Sequence, residues 1–406
     1  MRVSVCAAAL AVSAGMAASA SAQNVRLSLA DAVSRALEQS ASVVVARARV
    51  EEAQGRLIGA RLRFRDNPQL GVSAGPRRSG GATTSDIEVS ASHTFETGGQ
   101  RLLRVAGAEA NVASAAATVS DERRQAIEAV ARAFLTHERA QERSALLTDA
   151  ESTAAEILRI AQRRYDAGDI AALDLNLARA SASRARAATI AADADLAVSN
   201  GVLVRLLGFE PSTNIAVDHA LEQDRTADLR QLLMALRSRP DLLSLQAAVS
   251  EAEAEAKLGA SMRRPDLGVD VTAKKEGADR IVVAGLTIAV PWFNRGQELT
   301  ATGTARAARL RLERDTTERA ASAEITSLYT EYVRRRLAAA AFEDALPAAT
   351  DNEQLSQRSF EEGELSLPDL VVVRREVIET RLEYLDLLFE AAETAVARDA
   401  AAGVMK

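Results

Sequence analysis

Residues 164–174 read RYDAGDIAALD and residues 359–369 read SFEEGELSLPD. In each, an aromatic residue (Tyr165, Phe360) is followed by two residues, a glycine (Gly168, Gly363), an acid (Asp169, Glu364) and an aliphatic residue (Ile170, Leu365). The two copies lie about 195 positions apart, and each follows a long run of good helix formers. Glycine at such a place adopts a left-handed backbone and ends a helix cheaply. Asp174 and Asp369 then fall in the first turn of a returning helix, where the helix dipole favours a carboxylate. Each stretch therefore predicts a turn between antiparallel helices. The turn satisfies the needs of any helical hairpin. Two similar exposed tips would also form a docking rim for another protein, and both readings stand at this point.

The repetition extends outward from the tips. NPQLGV at 67–72 returns as RPDLGV at 264–269, and TFETGGQ at 94–100 returns as PWFNRGQ at 291–297. ALEQSASVVVARARVEEA at 36–53 resembles ALRSRPDLLSLQAAVSEA at 235–252. Ordered matches at a nearly constant offset imply an internal duplication. The first copy predicts a helix over 29–64 capped by Ser28 with Asp31, then strands near 69–77 and 86–95. A long helix over 100–164 and a returning helix to about 207 complete it. The second copy predicts a helix over 228–262, strands near 267–275 and 280–290, and a long helix over 298–359 bent at Pro347. A last helix covers 368–402. A 65-residue helix is about 100 Å long at ~1.5 Å per residue, so one long helix matches two shorter ones stacked end to end. The fold class is mainly α with a small β part, built on a duplicated long-helix hairpin.

Residues 1–22 carry Arg2, the apolar run VCAAALAVSAGMAASA and an Ala20-Ser21-Ala22 cleavage pattern, which predicts a secretory signal peptide. Residues 23–220 and 221–406 are then the two repeats. Cys6, the single cysteine, would leave with the signal, which excludes a disulfide framework and a thiolate metal site. Beyond residue 22 no run of about 18 apolar residues suggests a spanning helix. The formal net charge of -6 argues against nucleic acid as a partner. If this chain enters a membrane, strands must carry it. Four strands cannot close a barrel and open edges are not tolerated in lipid, whereas three chains would supply twelve. Phe95, Trp292 and Phe293 stand at matching strand ends, as an interfacial aromatic band would. Soluble strands packed on helices are the competing reading of the same segments.

The two tip motifs, together with HTFETGGQRLLR and its echo VPWFNRGQ, resemble the TolC-like outer membrane efflux protein family. The junctions and the RPDLLSLQ stretch are most similar to its heavy-metal, CzcC-like branch. The resemblance covers residues 28–402. It implies a homotrimer with a twelve-stranded transmembrane β-barrel and an α-helical periplasmic tunnel in the bacterial outer membrane. It also implies a mixed equatorial zone near 209–227 and the C-terminus. The partners implied are a periplasmic adaptor, an inner membrane RND pump and outer membrane lipid. By position the adaptor-docking tips are Tyr165, Gly168, Asp169 and Ile170, with Phe360, Gly363, Glu364 and Leu365. The acid after each glycine departs from multidrug members of the family.

No catalytic, cofactor-binding or metal-ligating motif is found, so an enzyme is not expected. His93, His137 and His219 show no metal-ligand spacing. His93 reads as part of a barrel wall, and His137 with Glu138 and Glu142 as a solvated helix face, with contact to a cation as the second reading. Asp166, Asp169, Glu361, Glu362 and Glu364 cluster at the tips, where they either ring a threefold axis, favouring cations or holding a gate through pairs with Arg163, Arg164 or Arg358, or form solvated acidic turns. The function implied is a passive outer membrane exit duct, for heavy-metal cations first and for drugs or other small molecules second. A periplasmic coiled-coil scaffold without a channel is the remaining alternative.

Overall fold

The computed structural model describes residues 24–219, 227–343 and 345–405. The leader expected at residues 1–22 thus lies outside the described residues. The first half runs β1 (Asn24–Leu27), α1 (Leu29–Gln39), α2 (Ala41–Arg61), β2 (Gln69–Ser79), β3 (Ala82–Phe95), α3 (Gln100–Asp166), α4 (Ala172–Leu207) and β4 (Asn214–Val217). The second half runs α5 (Leu229–Ala235), α6 (Pro240–Ser261), β5 (Leu267–Glu276), β6 (Asp279–Ile288), α7 (Gln297–Glu343), α8 (Ala345–Glu361) and α9 (Leu367–Ala402).

Two of the expected helices are broken. The helix over 29–64 begins as anticipated, with a capping box: Asp31 N donates to Ser28 Oγ at 3.2 Å and Ser28 N donates to the Asp31 carboxylate at 3.4 Å. It stops at Ser40, whose extended backbone (φ -62°, ψ 115°) separates α1 from α2. In the second half the break is at Arg239 (φ -63°, ψ 131°), directly before Pro240. The proline ring disfavours helical geometry in the residue before it, and Pro240 itself sits harmlessly in the first turn of α6. The two breaks fall at equivalent positions of the aligned stretches. The strands are longer than expected around their hairpin turns, except that β6 stops at Ile288. The bend expected at Pro347 falls beside residue 344, which lies outside the described residues.

At 67 residues α3 is about 100 Å long. Its N-terminal half packs on α2 and α6 and its C-terminal half on α4 and α9. Ser114 Oγ meets Ser244 Oγ of α6 at 3.1 Å, and farther along Ile157 and Ala161 share a core with Leu175, Ala178 and Leu370. There is no single centre. Small clusters of alanine, leucine and valine are strung along the rod instead. Stability therefore comes from side-by-side helix packing rather than from any one helix.

The four longer strands form one antiparallel sheet in the order β2-β3-β5-β6. Phe95 pairs with Leu267 across its centre, so strands from the two halves of the chain meet there. β2 and β6 are left as open edges. The short strands β1 and β4 form a separate parallel pair, Val25 opposite Ile215, which the sequence reading did not anticipate.

Candidate functional site

Side chains alternate across a pleated sheet, so the registers assign every residue to a face. One face carries Leu70, Val72 and Ala74 of β2, and Ile87, Val89, Ala91, His93 and Phe95 of β3. It continues through Leu267, Val269, Val271 and Ala273 of β5 and Val282, Ala284, Leu286 and Ile288 of β6. Away from the hairpin ends, where Arg78, Thr83, Ser85, Lys275 and Arg280 share it, this face is apolar except for His93, yet Leu70, Val72, Val282 and Leu286 are 73–80% exposed. The opposite face carries Arg77, Asp86, Glu88, Ser90, Ser92, Asp270, Thr272, Lys274, Glu276 and Asp279, with Ile281 and Val283 of β6 among them. Arg77 bridges Asp86 at 2.7 Å and Glu276 at 2.8 Å, and Lys274 meets Glu88 at 3.1 Å. Asp270 sits opposite Gly285, where any Cβ would lie 2.6 Å from its carboxylate. Apolar side chains turned to the exterior and ion-paired polar ones turned away from it are the pattern of a wall between lipid and water. His93 lies on the apolar face, packed edge-on against Phe64 at 4.9 Å and Phe95 at 4.7 Å. Phe95, Trp292 and Phe293 all lie at the helix-side end of the sheet, the last two 72% and 91% exposed.

The tips lie at the far end of α3 and α8. Gly168 (φ 84°) and Gly363 (φ 82°) are both left-handed. In each tip two backbone bonds close the helix: Gly168 N to Tyr165 O (2.9 Å) with Asp169 N to Arg164 O (2.8 Å), and Gly363 N to Phe360 O (3.2 Å) with Glu364 N to Ser359 O (2.8 Å). These are paired Schellman closures, which satisfy carbonyls the helix end leaves free. The two tips share one apolar core, with Ile170 and Leu365 partly buried against it. Tyr165 is 41% exposed, but Phe360 is only 2% exposed and lies under the Arg164 guanidinium, 4.6 Å from the ring centre. Asp166, Asp169, Glu361, Glu362 and Glu364 are all exposed. Among the described residues none of them is within 4.0 Å of Arg163, Arg164 or Arg358 in the same chain. Asp166 and Glu361 accept from Gln162 and Gln357 instead.

A third structured region lies midway along the rod, where β1 and β4 cross the helices. Here the sequence reading needs correction. His137 and Glu138 are each only 1% exposed, because β4 covers the helix face on which they stand. His137 Nε2 donates to the Ile215 carbonyl at 2.9 Å and Nδ1 meets Ser199 Oγ at 2.8 Å. Burial pulls the imidazole below its ordinary range, against the opposing pull of the Ile215 carbonyl, and keeps it neutral. His219 brings Nδ1 to Glu138 at 3.0 Å and Nε2 to Glu142 at 3.4 Å. Nearby, Arg239 forks onto Asp241 at 2.8 and 2.6 Å and donates to the Ala401 carbonyl at 2.9 Å. Arg124 donates to the Ala400 carbonyl at 3.0 Å, so two arginines cap the end of α9. Burial would raise the Asp241 carboxyl, but the Arg239 fork outweighs it and holds the group below its usual range.

The neutral His137 has a consequence for pH. Its folded pKa lies below the unfolded value, so stability is complete above about pH 6.5 and falls as the unfolded chain gains a proton that the native state refuses. The limiting slope is about 1.4 kcal/mol per pH unit per chain. The stability difference between the parent protein and His137→Gln should therefore shrink from pH 7.5 to pH 5.5 in denaturant titrations. A difference that is flat with pH would contradict a neutral imidazole here.

Residues 32–209 match the family model described as Outer membrane efflux protein. Over that span, and in its sheet and rod, the chain is similar to outer membrane efflux proteins. At the level of particular relatives, the chain is 25% identical over 378 residues to the cobalt-zinc-cadmium resistance protein CzcC of Cupriavidus metallidurans, which spans 92% of this chain and 89% of that protein. In fold it is similar to the CmeC outer membrane channel of Campylobacter jejuni, with a TM-score of 0.74, 16% identity and coverage of 93% of this chain and 85% of that one. It is likewise similar to the MtrE outer membrane channel of Neisseria gonorrhoeae, with a TM-score of 0.73, 16% identity and coverage of 93% and 89%.

Proposed function

We propose that three copies of the chain join β2 edge to β6 edge, closing their four-stranded sheets into a twelve-stranded barrel that continues into a helical periplasmic tunnel. The observation that carries this reading is the sheet itself. Its two edges are unpaired, one face is apolar and exposed, and the other is charged. An open edge in lipid leaves backbone groups unsatisfied, and closure removes it. In this reading residues 23–220 and 221–406 are two repeats of one unit. The protein is a passive exit duct whose driving force comes from an inner membrane RND-type pump, joined to it by a periplasmic adaptor. Tyr165, Gly168, Asp169 and Ile170, with Gly363, Glu364 and Leu365, form the adaptor-docking rim, while Phe360 seats the two tips on each other.

Heavy-metal cations are the cargo this reading favours. The likeness to CzcC supports it, as does the charge of the inner face. There Asp86, Glu88, Asp270, Glu276 and Asp279 face only Arg77 and Lys274, and acidic excess along a bore favours cations. Deleting the gene should lower tolerance to divalent metals and leave drug tolerance unchanged, with rescue by the intact gene. Drug sensitivity alone would overturn the cargo assignment.

The tips carry their own test. A Cβ at Gly168 or Gly363 meets nothing within 4 Å, so a substitution there acts through the left-handed backbone alone. Gly363→Val should cost about 1–2 kcal/mol locally and displace the tip. The expected result is a trimer that still assembles but no longer co-purifies with the adaptor. Normal adaptor recovery would contradict the docking role.

A further inference from the structure

The helix-side rim of the sheet holds a group of arginines that the channel reading leaves unused. Arg63 and Arg65 precede β2, Arg263 and Arg264 precede β5, and Arg295 follows β6. All five are exposed. Among the described residues, none of the five has a carboxylate within 4.0 Å, although other arginines at this level are engaged: Arg61 with Glu109 at 3.1 Å, and Arg104 with Glu96. Asp266, the carboxylate at the base of β5, accepts from Gln100 at 3.0 Å. The rim is therefore a surplus of unneutralised guanidinium groups.

The side of the wall follows from the aromatic cluster for Arg63 and Arg295; Arg65 adjoins Arg63 in sequence, and Arg263 and Arg264 stand at the base of β5. Phe64 packs on His93 at 4.9 Å and on Phe95 at 5.8 Å, and both partners belong to the apolar face. The Arg63 guanidinium stands 5.6 Å from the Phe64 ring centre, so it too lies outside the sheet and not toward the charged face. Arg295 Nε donates to the carbonyl of Trp292 at 3.2 Å, beside the exposed Trp292 and Phe293 rings. Aromatic rings settle at the depth of lipid headgroups, and the guanidinium groups among them meet the phosphates. A guanidinium fork matches a phosphodiester's paired oxygens.

We propose that this rim binds anionic phospholipid headgroups of the periplasmic leaflet and so fixes the height of the barrel in the membrane. The proposal rests on the outer membrane placement above but not on the identity of the cargo. Its test uses the purified full-length trimer, with native mass spectrometry during titration with phosphatidylglycerol or phosphatidylethanolamine. The parent should retain phosphatidylglycerol in preference to phosphatidylethanolamine. A quadruple variant, Arg63→Gln, Arg65→Gln, Arg263→Gln and Arg264→Gln, should bind phosphatidylglycerol roughly tenfold more weakly and stay trimeric. Arg184→Gln with Arg186→Gln on α4, removed from the rim, should leave retention unchanged. Undiminished binding in the quadruple variant, or an equal loss for both lipids, would overturn the proposal. Loss of assembly in that variant and in each arginine pair alone would assign the arginines to subunit contacts and overturn it as well. Trimer assembly and membrane insertion are read separately, so failure here leaves the channel reading intact.

Discussion

Val271→Arg should remove the protein from the outer membrane, whereas Thr272→Arg, one residue further along the same strand, should leave it there. Val271 lies in the middle of β5, opposite Ala91 and Ala284, within the apolar face. Thr272 is opposite Ser90 and Val283 and points to the other side. A guanidinium on the lipid side of a barrel costs about 2–4 kcal/mol near the membrane midplane, and the proposed trimer would carry it three times. On the inner face of the proposed barrel the same group would meet water, with Asp270 and Lys274 as neighbours along the strand. The measurement is the amount of heat-modifiable trimer in outer membrane fractions, with at least a tenfold drop expected for Val271→Arg alone. Similar behaviour of the two variants would mean that the faces are assigned wrongly, and with them the closed barrel.

What could be read from the sequence follows from which interactions are local. The tips were legible because a glycine that ends a helix is dictated by its own backbone, and Gly168 and Gly363 close their helices in the same way. The four long strands were legible through alternation and turn residues. β1 and β4 were not, because NVRL and NIAV are four residues each, too short to show a period. Their pairing depends on contacts some 190 residues apart. The burial of His137 follows from theirs: only once β4 lies across α3 does that helix face become interior. The break before Pro240 was signalled by the proline, whereas Ser40 gave no comparable sign. At the tips the shared motif concealed a difference. Tyr165 and Phe360 occupy equivalent positions, yet one is exposed and the other forms the core on which both tips rest. Such asymmetry arises from packing between the two halves of the chain, which neither half alone encodes.

Gly303→Leu should be as disruptive as the charge in the membrane face, by a different route. α6 and α7 approach so closely that a Cβ at Gly303 would lie 2.6 Å from Ala256 N, 2.9 Å from Ala256 Cα and 3.0 Å from Ala252 O. Gly259 meets Thr300 N at 2.5 Å in the same sense, and Gly296 combines φ 71° with a 2.1 Å approach to Gly259 O. These neighbours are backbone atoms, which cannot rotate aside as a side chain would. A leucine must therefore push the helices apart, by about 1 Å to restore ordinary contact, and the cluster of Val249, Ala252, Ala307 and Leu310 would lose its fit. The displacement would not stay local. α6 leads directly into β5, and α7 follows β6, so parting these helices shifts the base of two adjoining strands. Overpacking alone costs about 1–3 kcal/mol, and the imposed strand shift adds to it. By contrast, a Cβ at Gly201 in α4 meets nothing within 4 Å, so Gly201→Ala should gain up to about 1 kcal/mol from helix propensity. Thermal dissociation of the trimer would separate the two, with a marked fall for Gly303→Leu and a slight rise for Gly201→Ala. A Gly303→Leu trimer with the parent's midpoint would show that α6 and α7 have room between them, and the small-residue seam would lose its role in holding the strands above it.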